Sequence, residues 1–507
     1  MAERPNILIL MADQLTASVL AAYGGPARTP RLDALASQGV VFDSFYCNSP
    51  LCAPSRYSFL AGQLPSKIGA YDNAAEFAAD TPTLAHFMRR AGYQTTLSGK
   101  MHFCGPDQLH GFEERVTTDI YPADFGWTPD WQNFDERPSW YHTMDSVIQA
   151  GPCTRTNQID FDDELVYAAR QKLFDIARGK DRRPFFLVVS MTHPHDPYTV
   201  PQRYWERYQD SDIGMPRITQ QAAPDDPHSR RLRHVIGMGL QTPTAGQTQA
   251  ARRAYCGAVS YVDDQIGVLL DTLSETRFDG NTIVVVLADH GDMLGERGLW
   301  YKMNFFEPAC RIPLIVWAPG RFAPRRSQTL ASLLDILPTI AHLTGGDCAP
   351  GSETPLDGRS LLPELNGSDV PGEVIGEYLG EGALAPVVMI RRGRYKFIHS
   401  PTDPDLLFDL SADADELCNL ASHAAHAALL AAFRAEVARR WSLPQLHAQV
   451  LASQRRRHLV YGALRAGRYT PWDFQPLRAA SRQYVRNDQP LNDLEAMARF
   501  PPLIPRE

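Results

Sequence analysis

The sequence predicts an α/β fold built on a mostly parallel sheet flanked by helices, with a smaller α+β domain at the C-terminal end. Three apolar runs of strand length, at 6–11, 185–190 and 282–288, lead into Asp, His or Gly residues, and helical stretches separate them. Uninterrupted apolar runs are typical of strands buried on both faces of a parallel sheet. Because the carboxyl ends of parallel strands meet at one edge, the polar residues after these runs should lie together there.

Helices are expected between and after these strands. Apolar residues at helical spacing predict a helix over 30–36 and another over 335–343, the second ended by Gly345 and Gly346. Near Cys52, Pro54 should end an extended segment, so that a helix opens at Ser55.

The pattern of apolar and polar residues changes from about Pro371. Short alternating segments at 374–378, 387–390 and 395–398 predict a small antiparallel sheet, with a helix near 426–441 packed on it. Beyond residue 446 lies a basic, aromatic tail, which we expect to pack on a neighbouring subunit. The expected division is a catalytic domain over 1–370, a small domain over 371–445 and an oligomer-contacting tail over 446–507.

Composition narrows the class of protein. A chain of 507 residues is longer than one hydrophobic core usually supports, so more than one domain is expected. Its net charge of −8 argues against binding to nucleic acid. The apolar run before Asp13 is too short for a signal peptide or a membrane span. Eight cysteines are scattered without metal-finger spacing, which indicates reduced thiols. We therefore expect a cytoplasmic protein that binds neither nucleic acid nor membranes.

The run Cys52-Ala-Pro-Ser-Arg56 is the most specific motif in the chain. It resembles the Cys-x-Pro-Ser-Arg signature of the sulfatases, in which a formylglycine-generating enzyme oxidises the cysteine to Cα-formylglycine. The resemblance implies an alkaline-phosphatase-like fold and hydrolysis of a sulfuric ester. One hydroxyl of the hydrated aldehyde attacks sulfur, and loss of the proton from the other expels sulfate by C–O cleavage. Arg56 would place a fixed positive charge beside the hydrate. The alternative is a buried thiol at a strand-to-helix turn.

A metal site is expected at the sheet edge. Asp13 and Asp289-His290 each follow a buried strand, and carboxylate oxygens with an amide or imidazole suit a hard divalent cation. Many sulfatases have a second aspartate where this chain has Gln14. The Asp-Gln pair resembles the choline-sulfatase and phosphonate monoester hydrolase branches of the superfamily. We expect one divalent cation, calcium as is usual in sulfatases, although manganese or magnesium would tolerate the same ligands.

Further positions match family elements that contact the sulfate group. The element that ends in Gly99-Lys100-Met-His102 implies that Lys100 binds sulfate oxygens and that His102 takes the proton from the hydrate. His193 matches the sulfate-facing histidine of the family and is a candidate general acid for the leaving oxygen. Lys302 matches the second family lysine.

The resemblance is closest to the choline-sulfatase branch. It is carried by four segments, at 98–114, 118–129, 291–300 and 471–476. A quaternary ammonium cannot donate a hydrogen bond, so aromatic faces and carboxylates must hold it. The resemblance implies Trp127 as the wall of an aromatic cage, with Tyr121 and Phe125 as secondary candidates.

The same resemblance implies two more substrate contacts and one from the tail. Glu381 matches the choline-facing carboxylate, and Asn73 matches a polar residue near the sulfate. An acidic tail residue of the branch reaches the choline of another subunit, and here it falls on Asn492 or Asp493. If Asn492 is the match, the cage has one charge fewer.

The sequence thus predicts a sulfatase that hydrolyses a small sulfate ester, choline O-sulfate, to choline and sulfate as a homodimer or homotetramer. A phosphonate monoester or phosphodiester hydrolase is the enzymatic alternative, because Asp13-Gln14 and the aldehyde would also fit phosphorus. A protein that binds anions or quaternary amines, with Cys52 never oxidised, is the alternative outside enzymes. A binding protein of this kind would give His102 and Lys302 no functional role.

Overall fold

The computed structural model describes residues 4–345, 355–477, 484 and 490–501 of the chain. Gly346 and Cys348 lie outside the described residues. The strands are β1 (Asn6–Ala12), β2 (Val40–Tyr46), β3 (Gln94–Gly99), β4 (Glu114–Arg115), β5 (Gly151–Cys153), β6 (Phe185–Met191), β7 (Thr199–Pro201), β8 (Thr282–Ala288), β9 (Leu314–Trp317), β10 (Arg325–Ser332), β11 (Glu373–Tyr378), β12 (Val387–Arg392), β13 (Tyr395–Ser400) and β14 (Asp403–Asp409).

The main sheet has eight strands in the order β10-β2-β9-β8-β1-β6-β3-β4. Every neighbouring pair is parallel except the two pairs that include β9, which runs antiparallel to β2 and β8. In the central strands Leu10 of β1 lies opposite Val189 of β6 and Val286 of β8. All residues of β6 and β8 are buried. The predicted fold class, a mostly parallel sheet, is confirmed.

Helices cover this sheet and connect its strands. They are α1 (Pro30–Gln38), α2 (Cys52–Ala61), α3 (Leu84–Arg90), α4 (Asp145–Ile148), α5 (Asn157–Arg178), α6 (Gln202–Trp205), α7 (Asp210–Ile213), α8 (Pro227–Val235), α9 (Ala245–Glu275), α10 (Glu307–Cys310), α11 (Ile336–Leu343), α12 (Leu362–Leu365), α13 (Ala427–Arg440), α14 (Leu443–Arg465) and α15 (Leu491–Ala498). α9 packs against α1 and α5, whereas α2 packs against α3 and α11. No helix in the described part of the chain is long and apolar enough to cross a membrane.

The C-terminal region contains a separate antiparallel sheet, in the order β11-β12-β13-β14. Helix α13 lies on it and buries Leu430 and Phe433 against Phe397 and Leu407. This arrangement matches the antiparallel sheet and helix expected from the sequence. The division of the chain into three domains stays a prediction.

Two local expectations differ from the structure. Helix α2 begins at Cys52, not at Ser55, because a proline in the first turn lacks only an N–H that would have no acceptor within the helix. The predicted tail begins inside a long helix, α14, whose Leu446 and Val450 join the main hydrophobic core. The first part of the tail therefore packs on its own chain.

Candidate active site

The polar residues after β1 and β8 meet at the first residue of α2. Each of Asp13, Cys52, Asp289 and His290 offers one ligand atom, and these four atoms all lie within 4.8 Å of one another. All four residues are buried. The convergence expected at the carboxyl edge of the sheet is therefore present, and its donors are two carboxylates, an imidazole and a sulfur.

The thiol of Cys52 lies in a strongly polar environment. Its Sγ is 3.2 Å from Nε2 of His290 and 3.9 Å from Oδ1 of Asp13. Burial and the charge of Asp13 raise the pKa of this thiol, but Lys100 and Lys302 lower it more, to about 6. The site therefore stabilises negative charge at position 52.

The guanidinium of Arg56 is fully engaged with the protein. Its Nε donates to Oδ2 of Asp289 at 2.8 Å, and its Nη2 donates to Oδ2 of Asp13 at 3.1 Å. Nη1 donates to the Lys100 carbonyl at 2.7 Å and to Oγ of Ser190 at 2.8 Å. Arg56 thus holds the two carboxylates in place, a more structural position than the sequence suggested. Burial raises the pKa of Asp13, but Lys100, His195 and Arg56 hold it well below its usual range.

Gln14 presents its amide oxygen to the centre of the site. Its Oε1 accepts a hydrogen bond from Nζ of Lys302 at 2.6 Å, and its Nε2 donates to Oδ2 of Asp292 at 2.7 Å. Asp292 also accepts a hydrogen bond from the hydroxyl of Tyr198 at 2.7 Å. This carboxylate fixes the orientation of the amide, and the sequence analysis did not identify it.

Lys100 and His102 lie next to the residues that meet at the sheet edge. Nζ of Lys100 pairs with Oδ2 of Asp13 and lies 4.2 Å from the centroid of the Tyr121 ring. The ring nitrogens of His102 form no well-aligned hydrogen bond among the described residues, although the side chain is buried and lies beside Cys52. Burial lowers the pKa of His102. Because a buried polar group without a partner is costly, this imidazole is a candidate to contact a ligand.

The structure separates the two histidines of the His193-Pro-His195 run. Nδ1 of His193 is 2.7 Å from Oδ2 of Asp162, and its ring packs on Tyr261. Nε2 of His195 instead lies 2.9 Å from Nζ of Lys302. His195 thus contacts Lys302, another predicted site residue, whereas Nδ1 of His193 pairs with Asp162; the role given to His193 stays a prediction. The sequence alone does not indicate which of two histidines at this spacing after a strand faces the site.

Aromatic rings line the space beside His102. Trp127 is half-buried, and its ring centroid lies 5.6 Å from that of His102 in an edge-to-face arrangement. The Trp140 ring lies 6.3 Å from Trp127 and nearly parallel to it, a neighbour that the sequence analysis missed. Tyr121 also contacts Trp127, at 5.1 Å, whereas the ring of Phe125 packs on Trp472. Of the two secondary candidates, Tyr121 lies nearer the predicted cage.

The two predicted polar substrate residues differ in their contacts. Glu381 is 4% exposed, and its Oε2 has no hydrogen-bond partner in the described part of the chain. Burial, with a smaller contribution from Asp72, raises the pKa of Glu381 to about 7. Asn73 accepts a hydrogen bond from the Ala53 amide at 3.0 Å, so it lies at the start of α2.

The two tail candidates lie on the surface. Asn492 and Asp493 are both exposed on α15. Their predicted contact with a neighbouring subunit stays a prediction.

Comparison with known proteins gives consistent matches. Residues 5–346 match the family model described as Sulfatase, and residues 448–500 match the one described as Choline sulfatase enzyme C terminal. The chain is 48% identical to the choline-sulfatase of Rhizobium meliloti (strain 1021), over 98% of this chain and 99% of that protein. It is 27% identical to an arylsulfatase of Clostridium perfringens, over 82% of this chain and 90% of that one.

Among solved structures, the phosphonate monoester hydrolase SpPMH from Silicibacter pomeroyi is similar, with a TM-score of 0.69 and 25% identity. The match covers 86% of this chain and 95% of that one. It supports the alkaline-phosphatase-like architecture expected from the sequence.

Proposed function

The chain belongs to the sulfatase family, and we propose that its substrate is choline O-sulfate, which it hydrolyses to choline and sulfate. Membership in this family makes it a sulfuric ester hydrolase, so the alternative of a binding protein is set aside. The observation that carries the substrate assignment is Glu381. A buried carboxylate whose Oε2 has no partner among the described residues is stabilised in its charged form by a cation, and the choline moiety supplies a permanent one.

The donor set fits a divalent cation. Asp13, Asp289 and His290 bring two carboxylates and an imidazole within 4.8 Å of one another, a set that favours a hard ion. We propose Gln14 as the amide ligand, although its Oε1 here accepts a hydrogen bond from Lys302. We propose calcium, with manganese or magnesium as ions that the same ligands would accept. When bound, the cation would neutralise charge on the sulfate oxygens.

We propose that Cys52 is the nucleophile precursor and that a formylglycine-generating enzyme oxidises it. The aldehyde hydrate, once formed, supplies the hydroxyl that attacks sulfur. His102 accepts a proton beside residue 52, because its ring nitrogens form no well-aligned hydrogen bond among the described residues. The buried ammonium groups of Lys100 and Lys302 stabilise negative charge on the sulfate oxygens.

His195 is the better candidate for the general acid that protonates the leaving oxygen. It lies 2.9 Å from Nζ of Lys302, whereas Asp162 holds His193. We therefore propose His195 for the role that the sequence analysis gave to His193. The family resemblance continues to support His193 as a group near the sulfate.

We propose that Trp127 and Glu381 recognise the alcohol. The ring of Trp127 offers a π-face to the trimethylammonium group, and the Glu381 carboxylate offers a charge. Asn73 positions the start of α2 through the Ala53 amide.

A phosphonate monoester hydrolase activity is the second candidate. It is supported by the similarity to SpPMH and by the Asp13-Gln14 pair. A buried carboxylate at Glu381 disfavours it, because an aryl leaving group carries no positive charge to balance that carboxylate.

We also propose a homodimer or homotetramer and a cytoplasmic location. The exposed side chains of Leu459, Leu477 and Met497 on the C-terminal segment support the oligomer. All seven cysteines that the structure describes are free, as is usual in a reducing compartment.

The deciding experiment compares three substrates on one preparation. Peptide mass spectrometry first establishes that residue 52 carries the aldehyde. Release of sulfate or phosphonate is then measured with choline sulfate, 4-nitrophenyl sulfate and an aryl phosphonate monoester. We expect the highest kcat/KM with choline sulfate. A higher kcat/KM with the phosphonate would replace the proposal by the second candidate.

A further inference from the structure

One face of helix α14 contacts the loops that carry the predicted substrate residues. Ser453, Gln454 and Arg457 are its buried polar residues. They share one face because residues three and four positions apart in a helix are neighbours. A long helix outside the main sheet would normally bury apolar side chains, so a buried arginine on it requires an explanation.

Arg457 forms a bidentate ion pair with Asp72. Its Nη1 lies 2.6 Å from Oδ1 and its Nη2 lies 2.6 Å from Oδ2 of that carboxylate. The side chains are 7% and 0% exposed. Asp72 also accepts a hydrogen bond from the backbone amide of Ala74 at 3.0 Å. Its carboxylate therefore fixes the backbone on the far side of Asn73. Since the Asn73 side chain accepts from the Ala53 amide, Arg457 is connected to the start of α2.

The same face of α14 holds the loop of Trp127. Nη1 of Arg457 donates to Oγ1 of Thr128, the residue after Trp127, at 3.0 Å. Gln454 lies three residues before Arg457 in the helix, and its Oε1 accepts a hydrogen bond from the Trp131 amide at 3.1 Å. The loop is thus attached to the helix at two points, Thr128 and Trp131, both shortly after Trp127.

The contact continues to the segment of Glu381. Nε1 of Trp131 donates to the carbonyl of Gly380, the residue before Glu381, at 2.9 Å. Asp72 also contributes to the raised pKa of Glu381. Arg457 balances the charge of Asp72, so loss of Arg457 would leave a second unpaired carboxylate near Glu381.

The groups that hold the sulfate end are fixed differently. The carboxylates of Asp13 and Asp289 are bonded to Arg56, and the amide of Gln14 is bonded to Asp292. Lys302 donates to Gln14. These contacts involve no residue of α14. The helix reaches the start of α2 only indirectly, through Asp72 and Asn73, whereas it bonds directly to the loop of Trp127, so it should affect recognition of the alcohol more than the chemistry at sulfur.

We propose that Arg457 is a positioning residue through which helix α14 determines selectivity for sulfate esters of quaternary-ammonium alcohols. It acts through Asp72 and Thr128 on the segments that carry Asn73 and Trp127. This inference rests on the proposed function, because it assumes that the alcohol carries a positive charge.

The test replaces Arg457 with methionine, which keeps an unbranched stem of similar length and removes the ion pair. Arg456→Met is the matched control, because Arg456 is the exposed neighbour on the same helix. We expect Arg457→Met to raise KM for choline sulfate about tenfold or more. For 4-nitrophenyl sulfate, kcat and KM should change less than about threefold. Arg456→Met should match the parent enzyme on both substrates. Arg457→Lys keeps the charge and should recover part of the loss.

Each outcome separates the inference from the proposed function. A parent enzyme without preference for choline sulfate contradicts the proposed function. A parent enzyme with that preference, retained unchanged by Arg457→Met, overturns the inference alone. Equal losses on both substrates also overturn it, because they indicate general support of the site. If Arg457→Met does not fold, by circular dichroism and thermal melting, Thr128→Val replaces it. That change removes the contacts of the Thr128 hydroxyl with Arg457 and with the Phe125 carbonyl, and it must still raise KM selectively for choline sulfate.

Discussion

Nε of Arg56 lies 2.8 Å from Oδ2 of Asp289, and both side chains are completely buried. The same guanidinium donates to Asp13, so one cation holds two carboxylates that would otherwise repel each other. Since Arg56 belongs to α2, this ion pair also fixes Cys52 relative to the sheet edge. Removing one partner of such a buried pair typically costs about 3–5 kcal/mol.

Replacement of Cys52 with alanine should abolish turnover and preserve the fold. The change removes one sulfur atom at the start of α2, which has little effect on packing, but it leaves no group to oxidise. Sulfate release should be undetectable, and the melting temperature should change by only a few degrees. Residual activity near that of the parent enzyme would contradict the proposed nucleophile.

Removal of the divalent cation should also inactivate the enzyme. Dialysis against a chelator leaves Asp13 and Asp289 without the proposed ion, and added calcium should restore activity. Metal analysis of the purified enzyme by mass spectrometry identifies the native ion. Full activity of protein shown to be metal-free would refute the proposed site, and better recovery with manganese or magnesium would change the assigned ion.

Trp127→Ala should raise KM for choline sulfate far more than KM for 4-nitrophenyl sulfate. Loss of the indole face removes an interaction with the ammonium group, which contributes about 0.5–2 kcal/mol in proteins. Phe125→Leu is the matched control, because Phe125 is on the same loop but packs on Trp472. Equal effects of Trp127→Ala on both substrates would remove Trp127 from the cage.

His195→Ala should reduce kcat for choline sulfate by about 10²–10⁴-fold, because the alkoxide leaving group requires a proton. The loss should be much smaller with 4-nitrophenyl sulfate, whose leaving group is stable as an anion. His193→Ala should mainly lower the melting temperature, since it removes the imidazole that pairs with the buried carboxylate of Asp162. If His193→Ala instead produced the leaving-group dependence, the acid would be His193, as the sequence analysis expected.

Binding of choline sulfate should weaken as the pH falls through about 7, because the raised pKa of Glu381 is about 7. Below that value the carboxyl is protonated and neutral, so it no longer attracts the ammonium group. KM for choline sulfate should therefore rise toward acidic pH, and KM for 4-nitrophenyl sulfate should not show this step. Glu381→Gln should remove the step. Identical pH profiles for both substrates would contradict the assignment.

The strands around the site could be predicted from the sequence nearly residue by residue. The run predicted over 282–288 is β8 itself, because apolar residues bounded by polar ones leave little freedom for its ends. The start of α2 could not be predicted, because proline at its third position is compatible with either an extended entry or a first helical turn. Helix α14 was missed because its apolar residues form no single stripe: Ser453, Gln454 and Arg457 are buried, whereas Leu459 is exposed.

Some site residues could be identified from sequence motifs, whereas others became visible only in the folded structure. Cys52 and Lys100 lie in contiguous signatures, so their identity could be read from the sequence. Asp292 and Trp140 act through neighbours distant in sequence, and His195 could not be separated from His193 at a spacing of two residues. Such contacts depend on how loops fold over the sheet edge, which periodicity does not encode.

If Cys52 is oxidised as proposed, the complete burial of α2 determines when that oxidation can occur. All ten residues of this helix, from Cys52 to Ala61, are buried. A modifying enzyme needs access to the backbone around the cysteine, and the finished fold offers none. The proposed oxidation of Cys52 therefore has to precede folding, while this segment is still extended. Protein that folds with an unmodified thiol should remain inactive until it is unfolded again.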